Sequence, residues 1–465
     1  MKNTLPAPVT LFAKVFAILF LMVFVFSACE KDNDTPPDIN DTIDNPIDTT
    51  QHNDTLVFDP LPACNATYLP VVMMHGFLAS GDTYAPQVMR FTSNGYCEDR
   101  LFTFDWNSIA GGDNVPVLDA FIDEVLSETG AEKVELMGHS AGGGLGYNYL
   151  SDAARAAKVA HYVHIGSSAQ SGPAGPAGEI PTLNIWSPDD EIASGADIPG
   201  ATNVQVPGAD HYQVATGPQS FAAMYTFFTG NAPATTNITP QARFNVGGKA
   251  VTLGENAPLS GATVEVYELN PQTGWRLNEQ PDFTFITDEK GFWGDFMPKP
   301  QTPYEFYIVS ANPNDRPIHY YREGFTHSNP YIYLRTLPPP GSIAGILLAG
   351  LPKDDDQTVM AIFASAQAVI NGRDELFLDG TELSTPALAP PAETAIAFFA
   401  YDANNNNVTD NTSIALFNFA PFLSGVDIFM QAATPGSIPV TFNNRTMYVR
   451  NWPSESDGVI VAVFD

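Results

Sequence analysis

The pentapeptide Gly138-His139-Ser140-Ala141-Gly142 constrains this 465-residue chain more than any other stretch. Before it, Lys133-Val134-Glu135-Leu136-Met137 is a short apolar run that reads as a buried strand, and after it the glycine-rich start at Gly142 reads as a helix. Ser140 therefore falls on a strand-to-helix turn. Small residues at 138 and 142 let that turn pass close to its neighbours without Cβ clashes, which is the geometry a nucleophile elbow requires. An ordinary glycine-rich turn with an unreactive serine can carry the same five residues, so the residues downstream decide.

An activated serine needs a base within hydrogen-bond reach and an acid that orients the base. The eight histidines are His52, His75, His139, His161, His164, His211, His319 and His327. Within the α/β part of the chain only His211 follows Ser140 on a loop, Pro207-Gly208-Ala209-Asp210-His211. His161 and His164 sit on an apolar strand and read as packing residues, while His139 belongs to the turn itself. Leu183-Asn184-Ile185-Trp186 runs into the acidic loop Ser187-Pro188-Asp189-Asp190-Glu191, so Asp189 and Asp190 both stand where an orienting acid belongs. The backbone N–H of Ala141, directly after the serine, is the first donor for a developing oxyanion.

The surrounding pattern is a regular alternation of strands and helices over residues 60–230, which predicts a parallel doubly wound sheet of class α/β. A Pro/Thr/Asn-rich linker at 231–240 follows, and beyond it the helical period largely disappears. Residues 241–335 read as a small β-sandwich and residues 342–465, after Pro338-Pro339-Pro340-Gly341, as a second all-β domain. With 52 acidic against 20 basic residues and a formal charge of −32, nucleic acid and anionic headgroups are excluded as electrostatic partners. A neutral or apolar substrate fits better.

The motifs now resemble a known family. Met74-His75-Gly76-Phe77 resembles the His-Gly oxyanion loop of true lipases, which implies the Phe77 N–H as the second oxyanion donor. The acidic loop resembles that of small bacterial lipases, in whose register Asp190 is the acid rather than Asp189. Across residues 68–229 the chain thus looks like a bacterial or archaeal lipase of the α/β-hydrolase superfamily, in compact form and with an added C-terminal β region. The resemblance implies hydrolysis of carboxylic esters of acyl lipids through an acyl-enzyme on Ser140, Asp190 and His211, with no cofactor. One departure concerns the lid: Asp105 to Pro116 offers only a short Gly/Asn loop where many lipases carry a helix. An aromatic β region, with Trp293, Phe296, Phe422 and Phe429 as candidates, is expected to supply the missing apolar wall. Pro258-Leu259-Ser260-Gly261-Ala262 with Thr287-Asp288 and Gly291-Phe292 resembles the carboxypeptidase-regulatory-like, transthyretin-like family, a binding and structural module. Two other readings stand beside the lipase: a polyester depolymerase, and a non-catalytic adhesion or glycan-binding lipoprotein.

At the N-terminus, Lys2 and Lys14 flank an apolar run ending in Val25-Phe26-Ser27-Ala28-Cys29. It resembles a bacterial lipoprotein signal (1–29), with Phe26 in place of the more usual Leu, and implies lipid attachment at Cys29 as the membrane anchor; an uncleaved membrane anchor is the alternative. Glu30-Lys31-Asp32 resembles the export signal of surface lipoproteins in Bacteroidota, which implies the outer membrane and its outer face. Residues 30–59 hold too few apolar side chains to fold and read as an acidic tether. Cys64 and Cys97 each precede a predicted strand; if those strands are parallel neighbours, the two cysteines share one sheet edge and can pair in an oxidising compartment, two separate free thiols being the alternative. Finally, Asp402, Asn404, Asn406 and Asp410 alternate in a polar loop, a spacing that presents several oxygens to one Ca²⁺ or else forms a solvated hairpin turn.

Overall fold

A computed structural model of the chain describes Phe58 and residues 60–465 apart from 434 and 435. The predicted signal segment 1–29 with Cys29, and the tether 30–59 apart from Phe58, lie outside the described residues. Six strands build the first region: β1 (Val71–Met74), β2 (Leu101–Phe104), β3 (Val134–His139), β4 (Val159–Ile165), β5 (Thr182–Trp186) and β6 (Thr202–Gln205). They form one parallel sheet in the order β2-β1-β3-β4-β5-β6. Helices α1 (Ala85–Ser93), α2 (Val115–Thr129), α3 (Ala141–Leu150) and α4 (Pro218–Thr229) cover it.

The burial of β1 shows why the sequence folds this way. All four of its residues are fully buried, because a strand covered on both faces has no polar side to present. Val71 and Met73 join the core under α1 and α4, with Phe91, Phe221 and Met224. Val72 and Met74, pointing the other way, join the core under α2 and α3, with Leu118, Ile122 and Tyr149. Helices α2 and α4 carry a proline in the first turn and a left-handed glycine just past the end, Gly130 and Gly230, the asymmetry that fixes both boundaries. At the opposite edge from the site, Cys64 and Cys97 are joined in a disulfide with Cα atoms 4.8 Å apart, tying the approach to β1 to the approach to β2.

The remainder is β-rich. Strands β7 (Val246–Thr252), β8 (Thr263–Glu268), β9 (Phe283–Ile286), β10 (Phe292–Phe296), β11 (Tyr304–Val309), β12 (Ile318–Arg322) and β13 (Asn329–Thr336) come from the predicted sandwich. Strands β14 (Met360–Ala364), β15 (Leu376–Leu378), β16 (Thr381–Glu382), β17 (Ala397–Tyr401), β18 (Leu423–Asp427), β19 (Ser437–Phe442), β20 (Arg445–Arg450) and β21 (Val459–Phe464) come from the segment after it. The two segments are not independent. They share an eight-stranded sheet, β18-β17-β14-β21-β12-β11-β8-β9, joined by the parallel pairing of β21 with β12. Along β21, Val459, Val461 and Val463 face a core against the sheet β10-β7-β13, and Ile460, Ala462 and Phe464 face a second core against β16-β15-β19-β20. The boundary at Pro338 to Gly341 is therefore a local break in the chain across which one sheet continues.

The parallel sheet and the β region meet over buried polar contacts. Asp105, at the end of β2, accepts from Lys249 Nζ and from Tyr333 Oη, each at 2.7 Å. Burial acts to raise its pKa, but the Lys249 ammonium outweighs this and holds the carboxyl below its ordinary value. On the other side, Thr92 Oγ1 lies 2.7 Å from His327 Nε2.

Candidate active site

Ser140 ends β3 and starts α3, with φ 53° and ψ −118°, a backbone conformation that is costly for any residue with a Cβ. The surroundings impose it. Ser140 N donates to Ile165 O at 2.9 Å, and Ser140 O accepts from Gly143 N at 2.9 Å and from Ser167 Oγ at 2.8 Å. Any Cβ at position 138 would lie 2.3 Å from Gly142 O, and one at 142 would lie 2.5 Å from Met74 O, so this turn admits only glycine on either side of the serine. Ala141 is the first residue of α3, where the helix leaves its leading N–H groups without intrahelical partners and turns its positive end toward the site.

His211 lies on the loop after β6. Its Nδ1 sits 2.7 Å from Asp190 Oδ2 while its Nε2 is buried with no hydrogen-bond partner. The pairing with a carboxylate assigns the proton to Nδ1 and leaves the Nε2 lone pair uncommitted. Asp190 is buried, and its other oxygen accepts from Ile192 N and Ala193 N, each at 2.9 Å. Asp189 is exposed and turns away to accept from Gly208 N at 2.7 Å. The structure thus brings Asp190, and not Asp189, to the imidazole.

His139 supports the same loop, its Nε2 lying 2.9 Å from His211 O and its ring centroid 4.6 Å from that of His211. Burial, and then the neighbouring His211, push the His139 pKa well below its ordinary value, so it is neutral and donates from Nε2. His161 is committed to Glu135 at 2.9 Å, and His164 to Ser168 O at 3.0 Å, with burial pushing the His164 pKa down to about 4.

The loop after β1 closes the other side. Position 76 lies so near the elbow that a Cβ built there would be 3.1 Å from Ser140 Cβ, which puts the following residue, Phe77, beside the serine. His75 is buried and its pKa is lowered by burial; Nδ1 lies 2.8 Å from Gly76 O, and Nε2 accepts from Trp106 N at 3.2 Å. Behind this loop is a small cavity of about 50 Å³, lined by Phe77, Leu78, Phe363 and Phe422 and also by Asp82, Arg322 and Arg335. On the Ala141 side an open groove of about 720 Å³ runs past Trp106, Asn114, Gly144 and Asn148.

Of the aromatics expected to build an apolar wall, Phe422 does reach the site. Its ring stacks on His211 at 5.7 Å with 13° between the planes, from a backbone φ of 72°. Trp293 and Phe296 instead fill the core between the β sheets, and Phe429 does not line the cavity. The Asp402 loop is closed on itself: Asp402 accepts from Asn406 N at 3.2 Å and Asn407 N at 2.7 Å, and Asp410 accepts from the amides of Asn404 and Asn406 at 2.7 and 2.9 Å. Among the described residues no group of three or more His, Cys, Asp or Glu side chains is placed to hold a metal ion. Sequence reasoning missed Asn256 and Arg373, which touch the two loops of the site from the β region; neither stands in a motif.

The arrangement can take a proton from a serine hydroxyl and hold the resulting imidazolium against a buried carboxylate. Comparison with known proteins agrees with this class. Residues 68–154 match the family model Lipase (class 2), residues 242–339 match Lipase C-terminal domain, and residues 361–465 match a further C-terminal domain family. Similar solved structures include a lipase of Bacillus licheniformis (15% identity, 37% of this chain and 96% of that one, TM-score 0.31). A carboxylesterase of Bacillus subtilis (14%, 36% and 86%, 0.29) and a soluble variant of the monoglyceride lipase of Saccharomyces cerevisiae (15%, 38% and 91%, 0.29) are others. The first region is a parallel six-stranded sheet with covering helices, as in α/β-hydrolases, and it carries the class 2 lipase match over residues 68–154. The class 2 lipase match includes Ser140 but stops short of Asp190 and His211, whose place rests on geometry.

Proposed function

We propose that the protein is a lipase or esterase that cleaves acyl esters through a covalent acyl-enzyme. Ser140 Oγ attacks the ester carbonyl carbon while His211 Nε2 takes the hydroxyl proton; Asp190 fixes the imidazole and stabilises its charge. The oxyanion is met by the N–H groups of Ala141 and Phe77. Collapse breaks the bond to the alcohol, which leaves with the proton from His211, and water then repeats the sequence in reverse to free the acid. The single observation that carries this reading is the contact of His211 Nδ1 with buried Asp190 beside a serine held in a strained turn. The largely apolar cavity behind Phe77 suits the acyl part and the open, more polar groove beside Ala141 suits the alcohol.

A polyester depolymerase needs a site open to a polymer surface, and here His211 is 2% exposed beneath Phe422, which favours a small or lipid ester. A non-catalytic adhesion role is disfavoured by the pairing of His211 with buried Asp190 and by the presence of Ser140 in the elbow turn. Lipid attachment at Cys29 and an outer-membrane, surface-facing location belong to the same proposal and are supported by the sequence of residues 1–32; metabolic labelling with a fatty acid should mark the protein and be lost in Cys29→Ala. The catalytic reading is tested with p-nitrophenyl esters of rising chain length on Ser140→Ala, which should hydrolyse none of them while keeping the native melting temperature. Retained turnover would reject it.

A further inference from the structure

Both loops that carry the proposed chemistry are contacted by polar side chains of the β region. On the oxyanion side the arm is Asn256, in the turn after β7, with φ 56° and 7% exposure. Its Nδ2 lies 2.8 Å from Ala79 O, 3.0 Å from Trp106 O and 3.2 Å from His75 Nε2, and its Oδ1 accepts from Ser80 Oγ. Of these partners, His75, Ala79 and Ser80 bracket Phe77 on the chain. On the base side the arm is Arg373. Its Nη1 lies 2.8 Å from Asp210 Oδ2 and 3.0 Å from Gln213 Oε1, and Ala368 N reaches the same Asp210 oxygen at 3.2 Å. Asp210 immediately precedes His211 and is buried.

The choice of partners points to positioning rather than to adhesion between regions. Joining two surfaces needs only apolar burial, whereas a buried amide such as that of Asn256 must have its donors matched or lose stability. Asn256 finds its partners at His75, Ala79 and Ser80, within three residues of Phe77, and at Trp106. Arg373, partly exposed, pairs with Asp210 and Gln213, one and two residues from His211.

We propose that Asn256 and Arg373 are positioning residues for the esterase reaction, Asn256 setting the oxyanion loop and Arg373 setting the loop of the base. The proposal rests on the serine-hydrolase reading. It implies that these two arms act on every ester alike, through kcat, rather than on long acyl chains through binding.

The test uses the full chain and steady-state kinetics on p-nitrophenyl butyrate and p-nitrophenyl decanoate. Displacing a reacting group by about an ångström costs roughly 100-fold in rate, so Asn256→Ala should lower kcat by about that factor on both esters with KM changed less than about 3-fold. Asn256→Asp, which keeps the shape but removes the donors, should lose as much. Arg373→Ala should lower kcat about 10-fold or more on both esters, and Arg373→Lys, which keeps the charge beside Asp210, should recover most of it. The downfield proton resonance of the His211 Nδ1–H bond to Asp190 should weaken in Arg373→Ala and persist in Arg373→Lys and Asn256→Asp. Where Asn256→Ala melts far below the wild type, Asn256→Asp decides the oxyanion arm. Folded Asn256→Asp and Arg373→Ala proteins with wild-type kcat, or losses confined to KM or to the decanoate, would overturn the proposal. Activity surviving in Ser140→Ala would instead reject the hydrolase reading beneath it.

Discussion

The hydrolase region and the β region solve the problem of holding a side chain in place by different means. In residues 60–230 the site residues follow the ends of parallel strands buried on both faces, and a disulfide ties the opposite edge. In residues 241–465, which contain no cysteine, two apolar cores lie on the two faces of one long sheet, and the contribution to the site comes through isolated arms: Asn256, Arg373 and Phe422. The difference teaches that reacting groups are placed by secondary structure, whereas their supporting contacts come from wherever the tertiary fold brings a suitable side chain.

The comparison breaks first at Ser140 and His211. Either residue changed to Ala should lower ester hydrolysis by about 10⁴-fold or more, measured as kcat, with the fold intact by circular dichroism. Next, Asp190→Asn should cost about 10⁴-fold in kcat, because the amide favours the wrong imidazole tautomer, whereas Asp189→Asn should cost less than about 3-fold. Equal losses would contradict the assignment of the acid.

Stability separates the regions further. Removing the Cys64–Cys97 bond, which closes a separation of 33 residues, should destabilise the protein by about 3 to 4 kcal/mol in the chain-entropy model. Urea unfolding of the double serine variant measures this, and a non-reduced digest verifies the pairing. The two regions should also respond to acid in opposite senses. His164, in the hydrolase sheet, is held to about 4 by burial against an ordinary 6.5. The unfolded chain therefore takes up its proton first, and stability present above pH 6.5 is lost as the pH falls toward 4, by up to about 3 kcal/mol. Glu323, in the β region, is raised by burial from 4.5 to about 7 despite Arg445. The folded form holds that proton more tightly, so its share of stability is present below pH 4.5 and is lost as the pH rises toward 7. Unfolding curves at pH 4.5, 5.5 and 7 should be flattened on the acid side by His164→Gln and on the neutral side by Glu323→Gln. The smallest effect is expected at Phe422. Phe422→Ala joins the 50 Å³ cavity to the site and should raise the ratio of decanoate to butyrate activity by about 10-fold, a change of the order of two buried methylenes; an unchanged ratio would separate Phe422 from substrate.

Much of the hydrolase region was legible because its signals are local. The run Val71 to Met74 declares a strand buried on both faces, and glycines at 138 and 142 declare a turn that tolerates no Cβ. Elimination led to His211 because a base must lie on a loop beyond the serine, and the structure places it against Asp190. The β region was legible only as β structure. The pairing of β21 with β12 joins residues about 140 positions apart, and no periodicity encodes a partner at that distance. Asn256 and Arg373 stand in no motif, since their contacts with the site loops exist only once two regions are packed together. Phe422 was one aromatic among several, and its stacking on His211 exists only in the folded chain.

The most direct measurement of the central claim is peptide mass spectrometry of the intact protein after exposure to a fluorophosphonate. The account predicts one covalent adduct, on the peptide containing Ser140, formed in step with the loss of ester hydrolysis and abolished in His211→Ala. An unmodified Ser140 in protein whose esterase activity has been lost to the reagent, or full activity in protein modified at Ser140, would contradict it.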